Sequence, residues 1–146
     1  MATLLPDTGN SQAQWSVPQT FAEPADRQRL TPAALEAFRN LAATWRFTGD
    51  EVTSLLAVSP STWDRIKART WCQALSQDQL TRVSTLIGIF KGLHLLFADD
   101  MADHWPRLKN SGPLFGNLTP IEAMEQGGIP RMIEIRRHVD ALGGGL

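Results

Sequence analysis

Three histidines offer the side chains best suited to acid–base catalysis or metal binding, and their spacing favours neither role. They stand at His94, His104 and His138, so no two share the i, i+4 spacing of helical metal ligands, and no H-E-x-x-H motif is present. His94 falls in the apolar stripe of a predicted long helix, where a hydrogen-bonded core histidine is more common than a ligand. The carboxylates near His104 are interpreted as a solvated helix end, because acidic charge is unfavourable at a helix C-terminus. These carboxylates are Asp99, Asp100 and Asp103.

The remaining reactive residues also argue against catalysis. The single cysteine, Cys72, has no neighbouring histidine and cannot form an intramolecular disulfide, so a small buried role is predicted. The G-x-S-x-G, Walker A and G-x-G-x-x-G motifs are absent. The glycines at 143–145 follow a predicted helix, so they offer no helix N–H groups to a phosphate. We predict a protein that is not an enzyme, with no catalytic residue, cofactor or metal.

Composition narrows the class of protein further. A chain of 146 residues with 42% hydrophobic residues is long and apolar enough for one globular domain. Its 14 basic and 15 acidic residues give a net charge of −1, so any contact with nucleic acid requires a local basic patch. The apolar run Leu93–Ala98 is far shorter than the roughly 18 residues of a membrane span. With no signal-peptide pattern at the N-terminus, we expect a cytoplasmic protein without membrane association.

Helical periodicity is the dominant pattern in the chain. Residues 1–29 are broken by proline and glycine and predict a flexible N-terminal arm, either free or docked on the body. Thr31 is predicted to cap a first helix, with Pro32 in its first turn and an end near Arg46. Ser76 starts a long helix that is apolar around most of its girth, as is typical of the middle of a fold or a dimer interface. No segment alternates with period two, so we predict an all-α fold of about six helices.

Residues 50–70 have the form of a helix-turn-helix. Asp50 is predicted to cap a short helix, Val58–Pro60 to break it, and a second helix to follow over Ser61–Thr70. Ala57 stands where a glycine is usual in the turn. Such a second helix enters the major groove of DNA with its first turn facing the bases. The alternative is a compact helical corner that binds no DNA. The predicted DNA contacts are hydroxyl and basic side chains, namely Ser61, Thr62, Arg65, Lys67 and Arg69.

The C-terminal third contains an ordered series of short motifs. Trp105 is followed by Pro113-Leu114-Phe115-Gly116, and Thr119-Pro120-Ile121-Glu122 then forms a capping box that starts a short helix. That helix ends at Gly127-Gly128, and a last helix begins at Pro130 and includes Ile133–Leu142. The larger apolar residues of this part are predicted to be core. They are Trp105, Phe115, Ile121, Met124 and Ile135.

In order and spacing, these motifs and the upstream helix resemble the MbcA/ParS/Xre antitoxin family. The resemblance implies the antitoxin of a type II toxin–antitoxin system, whose partner is a RES-domain toxin that consumes NAD or transfers ADP-ribose. Residues 30–98 would then be an Xre-like helix-turn-helix domain with dimerisation helices, binding and repressing the promoter of its own operon as a homodimer. Residues 99–146 would cover the active site of the toxin. The alternative is a helix-turn-helix transcriptional regulator without a toxin partner.

The end of the chain fits a toxin-binding role. A cationic helix face can meet an acidic rim or take the place of an anionic dinucleotide, and a glycine-rich tail can enter a cleft without steric cost. The alternative is that Gly143 merely ends the last helix and the following residues fray. The predicted toxin-binding residues are Arg131, Arg136, Arg137, His138, Gly143, Gly144, Gly145 and Leu146.

Overall fold

A computed structural model of the chain describes residues 18–144, which are helical and contain no strand. The predicted all-α fold is therefore confirmed, whereas most of the predicted N-terminal arm lies outside the described residues. A single π-helical turn, Thr53–Ala57, extends the second helix, and a 3-10 turn, Trp105–Arg107, follows the fifth. The helices are α1 (Pro24–Thr44), α2 (Gly49–Val52), α3 (Pro60–Lys67), α4 (Gln77–Leu96), α5 (Asp99–His104) and α6 (Pro120–Gly144).

The first helix begins earlier than its sequence predicts. Pro24 occupies its first turn, so Pro32 lies inside the helix and Thr31 does not cap it. The Thr31 hydroxyl instead donates to the carbonyl of Arg27 at 2.6 Å and accepts the N–H of Leu75 at 2.9 Å. The prediction was wrong because Thr31 is buried against a segment more than forty residues away, a contact that helical periodicity cannot reveal.

Capping boxes start three of the helices. At α4, Ser76 and Gln79 bond reciprocally at 3.0 and 3.1 Å, and Thr119 and Glu122 do so before α6 at 2.9 and 3.0 Å, as predicted. At α2 the cap is Thr48, paired with Glu51, and not the predicted Asp50. Asp50 lies in the first turn, where its negative charge still stabilises the helix by interacting with the positive end of the helix dipole.

The long helix α4 runs through the middle of the fold. This is one of the two predicted alternatives, the other being a dimer interface. Leu86, Ile89 and Leu93 are completely buried, and α1 and α6 pack against this helix from two sides. A Cβ atom built on Gly92 would lie 2.7 Å from Cγ1 of Val139, so only glycine permits the close approach of α6. The C-terminal end of α4 is less covered, because Leu95 remains 87% exposed.

The last helix is divided where the sequence predicts. Gly128 has φ 66° and ψ −156°, a conformation that is essentially restricted to glycine, and the chain becomes helical again around Pro130. All five predicted core residues of this part are buried; they are Trp105, Phe115, Ile121, Met124 and Ile135. The kink therefore lets both halves of α6 place an apolar face on the same core.

Candidate functional site

The helices α2 and α3 form a helix-turn-helix corner. Leu55 and Leu56 on one side and Trp63 and Ile66 on the other are buried together, as the sequence predicts for two helices that pack on each other. The π-helical extension of α2 ends at Ala57, which has φ 61°, and the chain then becomes extended before α3. Ala57 thus adopts the left-handed conformation for which glycine is usual.

Hydroxyl groups cluster at the N-terminus of α3. Ser59 caps the helix, its Oγ accepting the N–H of Thr62 at 3.1 Å. The same oxygen lies 3.0 Å from Oγ1 of Thr62 and 3.2 Å from Oγ of Ser61. These donors face solvent at the turn that would meet a DNA groove. Ser59 was predicted only as part of the break between the helices, although a serine directly before a proline is a common start of a helix.

The predicted basic residues are all exposed and differ in their contacts. The guanidinium of Arg65 lies 5.8 Å from the ring centroid of Trp71. Lys67 lies 5.7 Å from the ring of Trp63 and 3.6 Å from Asp64. Both long side chains are therefore partly oriented by aromatic rings while their charges remain available to a phosphate.

Arg69 forms an ion pair within the protein with Glu36, a residue that the sequence did not suggest as its partner. Its Nη1 donates to Oε1 of Glu36 at 2.7 Å, and Arg39 donates to the same oxygen at 2.7 Å. Hydrogen bonds from Arg69 and Arg39 lower the pKa of Glu36 to about 2, and the same pairing raises the pKa of Arg69. Arg39 also donates to the carbonyl of Ile66, so it ties the end of α3 to α1.

The predicted cationic residues of the last helix fall into two groups in the structure, one packed against this chain and one exposed. Arg131 lies against the preceding loop, donating to the carbonyl of Leu114, and Arg136 covers Gly88 of α4. Arg137 and His138 are exposed, although the ring of His138 also meets that of Phe115 at 5.6 Å. Gly143 and Gly144 end α6, whereas Gly145 and Leu146 lie outside the described residues.

Arg107 joins the C-terminal part of the chain to the helix-turn-helix. Its guanidinium donates to the carbonyls of Trp45 and Arg46 at 2.8–3.1 Å and to both carboxylate oxygens of Glu51 at 2.7 and 3.0 Å. The hydrogen bond from Arg107 is the main cause of a lowered pKa for Glu51. These partners lie more than fifty residues from Arg107, so local sequence gave no sign of the contact.

His94 joins the end of α4 to α5. Its Nδ1 lies 3.0 Å from Asp99 and its Nε2 lies 2.7 Å from Asp103. The predicted hydrogen bonding of His94 is confirmed, although the residue is half-buried and not in the core. Asp99 is solvated as predicted, but it begins α5 and does not follow a helix C-terminus. The prediction of a buried Cys72 was also wrong, because that residue lies exposed in the segment between α3 and α4.

We expect the stability contributed by His94 to depend on pH. Burial alone lowers the pKa of His94, but hydrogen bonds and charge from Asp103 and Asp99 outweigh it and raise the pKa above 6.5. The histidine therefore contributes fully below pH 6.5, and its contribution is lost as the pH rises through the folded pKa. Urea unfolding should show His94→Gln to be less stable than the parent by about 1 kcal/mol at pH 5.5 and by less at pH 8.5.

His104→Gln is the matched control for this prediction. His104 meets the backbone carbonyl of Asp100 at 3.0 Å, so its substitution removes a histidine without breaking a carboxylate pair. An equal loss of stability for His94→Gln at both pH values would contradict the prediction.

Two classes of site are not seen in the part of the chain that the structure describes. Residues 18–144 contain no group of three or more histidine, cysteine or acidic side chains placed to hold a metal ion. None of the helices in that range is both long and apolar enough to span a bilayer.

Comparison with known proteins agrees with this geometry. Residues 24–88 match the family model of the antitoxin Xre-like helix-turn-helix domain, and the match begins where α1 begins. The described residues are thus all helical and include a helix-turn-helix domain of the antitoxin type, a domain class that is typically non-enzymatic.

Residues 24–88 thus form an antitoxin Xre-like helix-turn-helix domain. The chain belongs to the same family as "Uncharacterized protein y4oB" of Sinorhizobium fredii (strain NBRC 101917 / NGR234), to which it is 31% identical over 129 residues. The aligned region covers 88% of this chain and 98% of that protein, so the similarity extends beyond the helix-turn-helix. No solved structure matches the chain significantly.

Proposed function

We propose that this protein is the antitoxin of a type II toxin–antitoxin pair, which blocks a RES-domain toxin and represses its own operon. The observation that carries the proposal is the surface of α3, with a hydroxyl cluster at its first turn and Arg65 exposed in its last, inside an Xre-like antitoxin domain. The toxin would consume NAD or transfer ADP-ribose, and the antitoxin would occupy its active site in the cytoplasm.

The proposed DNA interface uses the two ends of α3 differently. Ser61 and Thr62, in the N-terminal turn, would donate to phosphates or base edges. Arg65 is the candidate for a guanine edge, and Lys67 and Arg69 suit phosphates. Because the net charge of the chain is −1, few phosphate contacts are available to one copy, and binding as a homodimer would double them.

An uncovered apolar face supports the proposed homodimer. Between α1 and α4 lies a groove of about 210 Å³, lined by Leu41, Ile87 and Phe90 among others. Its lining is almost wholly apolar, as is common where two subunits meet.

The toxin-binding surface is proposed at the end of α6. Arg137 and His138 are the exposed members of the predicted cationic face and are free to meet an acidic rim. The chain from Gly143 to Leu146 would enter the cleft of the toxin, where its terminal carboxylate could pair with an arginine that holds phosphate. Arg131 and Arg136 contribute less directly, since both already bond to this chain.

We expect the two functions to be separable by substitution. Arg65→Ala should weaken binding to a duplex from the promoter of the operon about tenfold, because one base contact is lost, and should leave toxin inhibition unchanged. Deleting residues 143–146 should have the opposite pattern. Duplex titration by fluorescence anisotropy and NAD consumption by the co-expressed RES-domain protein measure the two effects, and each variant is the control for the other.

The outcomes distinguish the candidate functions. An equal loss of DNA binding and inhibition in folded Arg65→Ala would contradict two separate surfaces. Inhibition that survives the deletion would place the toxin contact elsewhere on the chain. Duplex binding without any inhibition or complex formation would support a helix-turn-helix regulator with no toxin partner.

A further inference from the structure

A small cavity with polar and apolar lining lies between α1 and the segment that follows α3. Its volume is about 190 Å³, and it is lined by Arg69 and Trp71, which come just after the C-terminal end of α3. None of its lining residues in the described part of the chain is acidic. The polar residues that line it are mostly nitrogen donors, namely Gln28, Arg39, Arg69, Trp71 and Gln73.

Two buried donors at this cavity have no acceptor. Within residues 18–144, Nε of Arg39 and Nε1 of Trp71 are both inaccessible and neither donates a hydrogen bond. A buried donor without an acceptor is uncommon in folded proteins, because desolvation of the group is then uncompensated. Arg39 and Trp71 both line the cavity, so a small movement of either side chain would present its donor to a ligand with several acceptor oxygens.

A carboxylate outside the cavity partly neutralises the positive charge of its two arginines. Glu36 does not line it, but its carboxylate accepts from both Arg39 and Arg69 at 2.7 Å. The Glu36 side chain is 49% exposed, so the pair is open to exchange with an anion from solvent. Two guanidinium groups against one carboxylate leave the cluster with a positive charge.

The cavity also adjoins the proposed DNA interface through one residue. Trp71 lines the cavity, and the guanidinium of Arg65 lies 5.8 Å from its ring centroid. Trp71 is therefore a neighbour both of the cavity and of the side chain proposed to reach the bases. A DNA backbone that crosses the end of α3 would bring a phosphate to this position.

We propose that this cavity is a phosphate-binding site. Arg69 and the indole N–H of Trp71, supported by Arg39, hold one phosphate group, and Glu36 is the internal competitor that releases Arg69 when the phosphate binds. The ligand class is a tetrahedral phosphate, and we assign its source to the DNA backbone. That assignment rests on the proposed function, whereas a free phosphate compound would use the same donors.

The indole N–H of Trp71 provides a direct readout. In ¹H–¹⁵N spectra of the full chain, Trp71→Phe identifies its signal. The chain is then titrated with a promoter duplex and, separately, with inorganic phosphate against chloride at equal ionic strength. We expect the signal to shift with both probes, and Trp71→Phe to weaken duplex binding about fivefold through loss of a hydrogen bond to a charged acceptor.

A pair of glutamate variants separates local competition from general charge. Glu36→Gln should tighten duplex binding about fivefold, because it frees Arg69 from a carboxylate. Glu134→Gln changes the net charge equally but lies on α6, where it pairs with Arg131 at 3.3 Å, and should change binding less than about twofold. Equal effects of the two variants would overturn the role of Glu36.

The remaining outcomes each decide one part of the proposal. A Trp71 signal that shifts with inorganic phosphate alone would overturn the DNA source and leave a site for a small phosphate compound. A signal that moves with neither probe, while Arg65→Ala still weakens duplex binding, would overturn the site and leave the proposed function standing. If the parent chain binds no duplex, the proposed function fails and the phosphate titration alone decides the site.

Discussion

Gly92→Val is expected to lower the free energy of unfolding by about 3 kcal/mol. The new Cβ would lie 2.7 Å from Cγ1 of Val139, and the valine branches would force α4 and α6 apart at the centre of the fold. For a chain of this size, a loss of that magnitude lowers the melting temperature by about 10 °C, which thermal unfolding followed by circular dichroism will measure.

Gly88→Val, one helical turn earlier, is the matched control. The atoms nearest to its Cβ would belong to the guanidinium of Arg136, the mobile end of a long side chain, beside a groove of about 340 Å³ that has room for the added methyl groups. Both substitutions change helix propensity equally, so the difference between them measures packing. Similar stability of the two variants would show that α4 and α6 are not held at this distance.

Arg107→Met is expected to cost about 2 kcal/mol of stability. Methionine keeps an apolar stem but removes the donors to Trp45 and Arg46 and the pair with Glu51. The estimate is reduced because the Arg107 side chain is 36% exposed. Urea unfolding at pH 7 will measure the loss, and Arg29→Met, which breaks only an exposed pair with Asp26, should cost less than about 0.5 kcal/mol.

The Arg107 contribution should also shrink in acid. The pKa of Glu51 is lowered by its bond to Arg107, so the pair stabilises the fold above the ordinary value of 4.5 and is lost as the pH falls through the folded pKa. The difference between Arg107→Met and the parent should therefore be smaller at pH 3 than at pH 7. A difference that does not change with pH would assign the stabilisation to the two carbonyls alone.

Arg107 is one of the contacts that hold the helix-turn-helix and the C-terminal part together. Its side chain joins the 3-10 turn to the ends of α1 and α2. Ser54 makes a second such contact with Glu125 at 2.9 Å.

The sequence alone determined the features that depend on neighbouring residues. The capping box at Thr119 and Glu122 and the break at Gly128 follow from local bonding and from the conformational freedom of glycine. The inward faces of α2 and α3 follow from helical periodicity, so the helix-turn-helix was predictable, as was the all-α class.

Only the tertiary structure decided which polar groups meet. Thr31 lies inside α1 because its hydroxyl bonds the N–H of Leu75. Glu36 reaches Arg69 from another helix, and Arg131, predicted to face a partner, turns onto the loop at Leu114. Long charged side chains find their partners only after the backbone is placed, and hydrophobic periodicity places the helices without specifying the pairs between them.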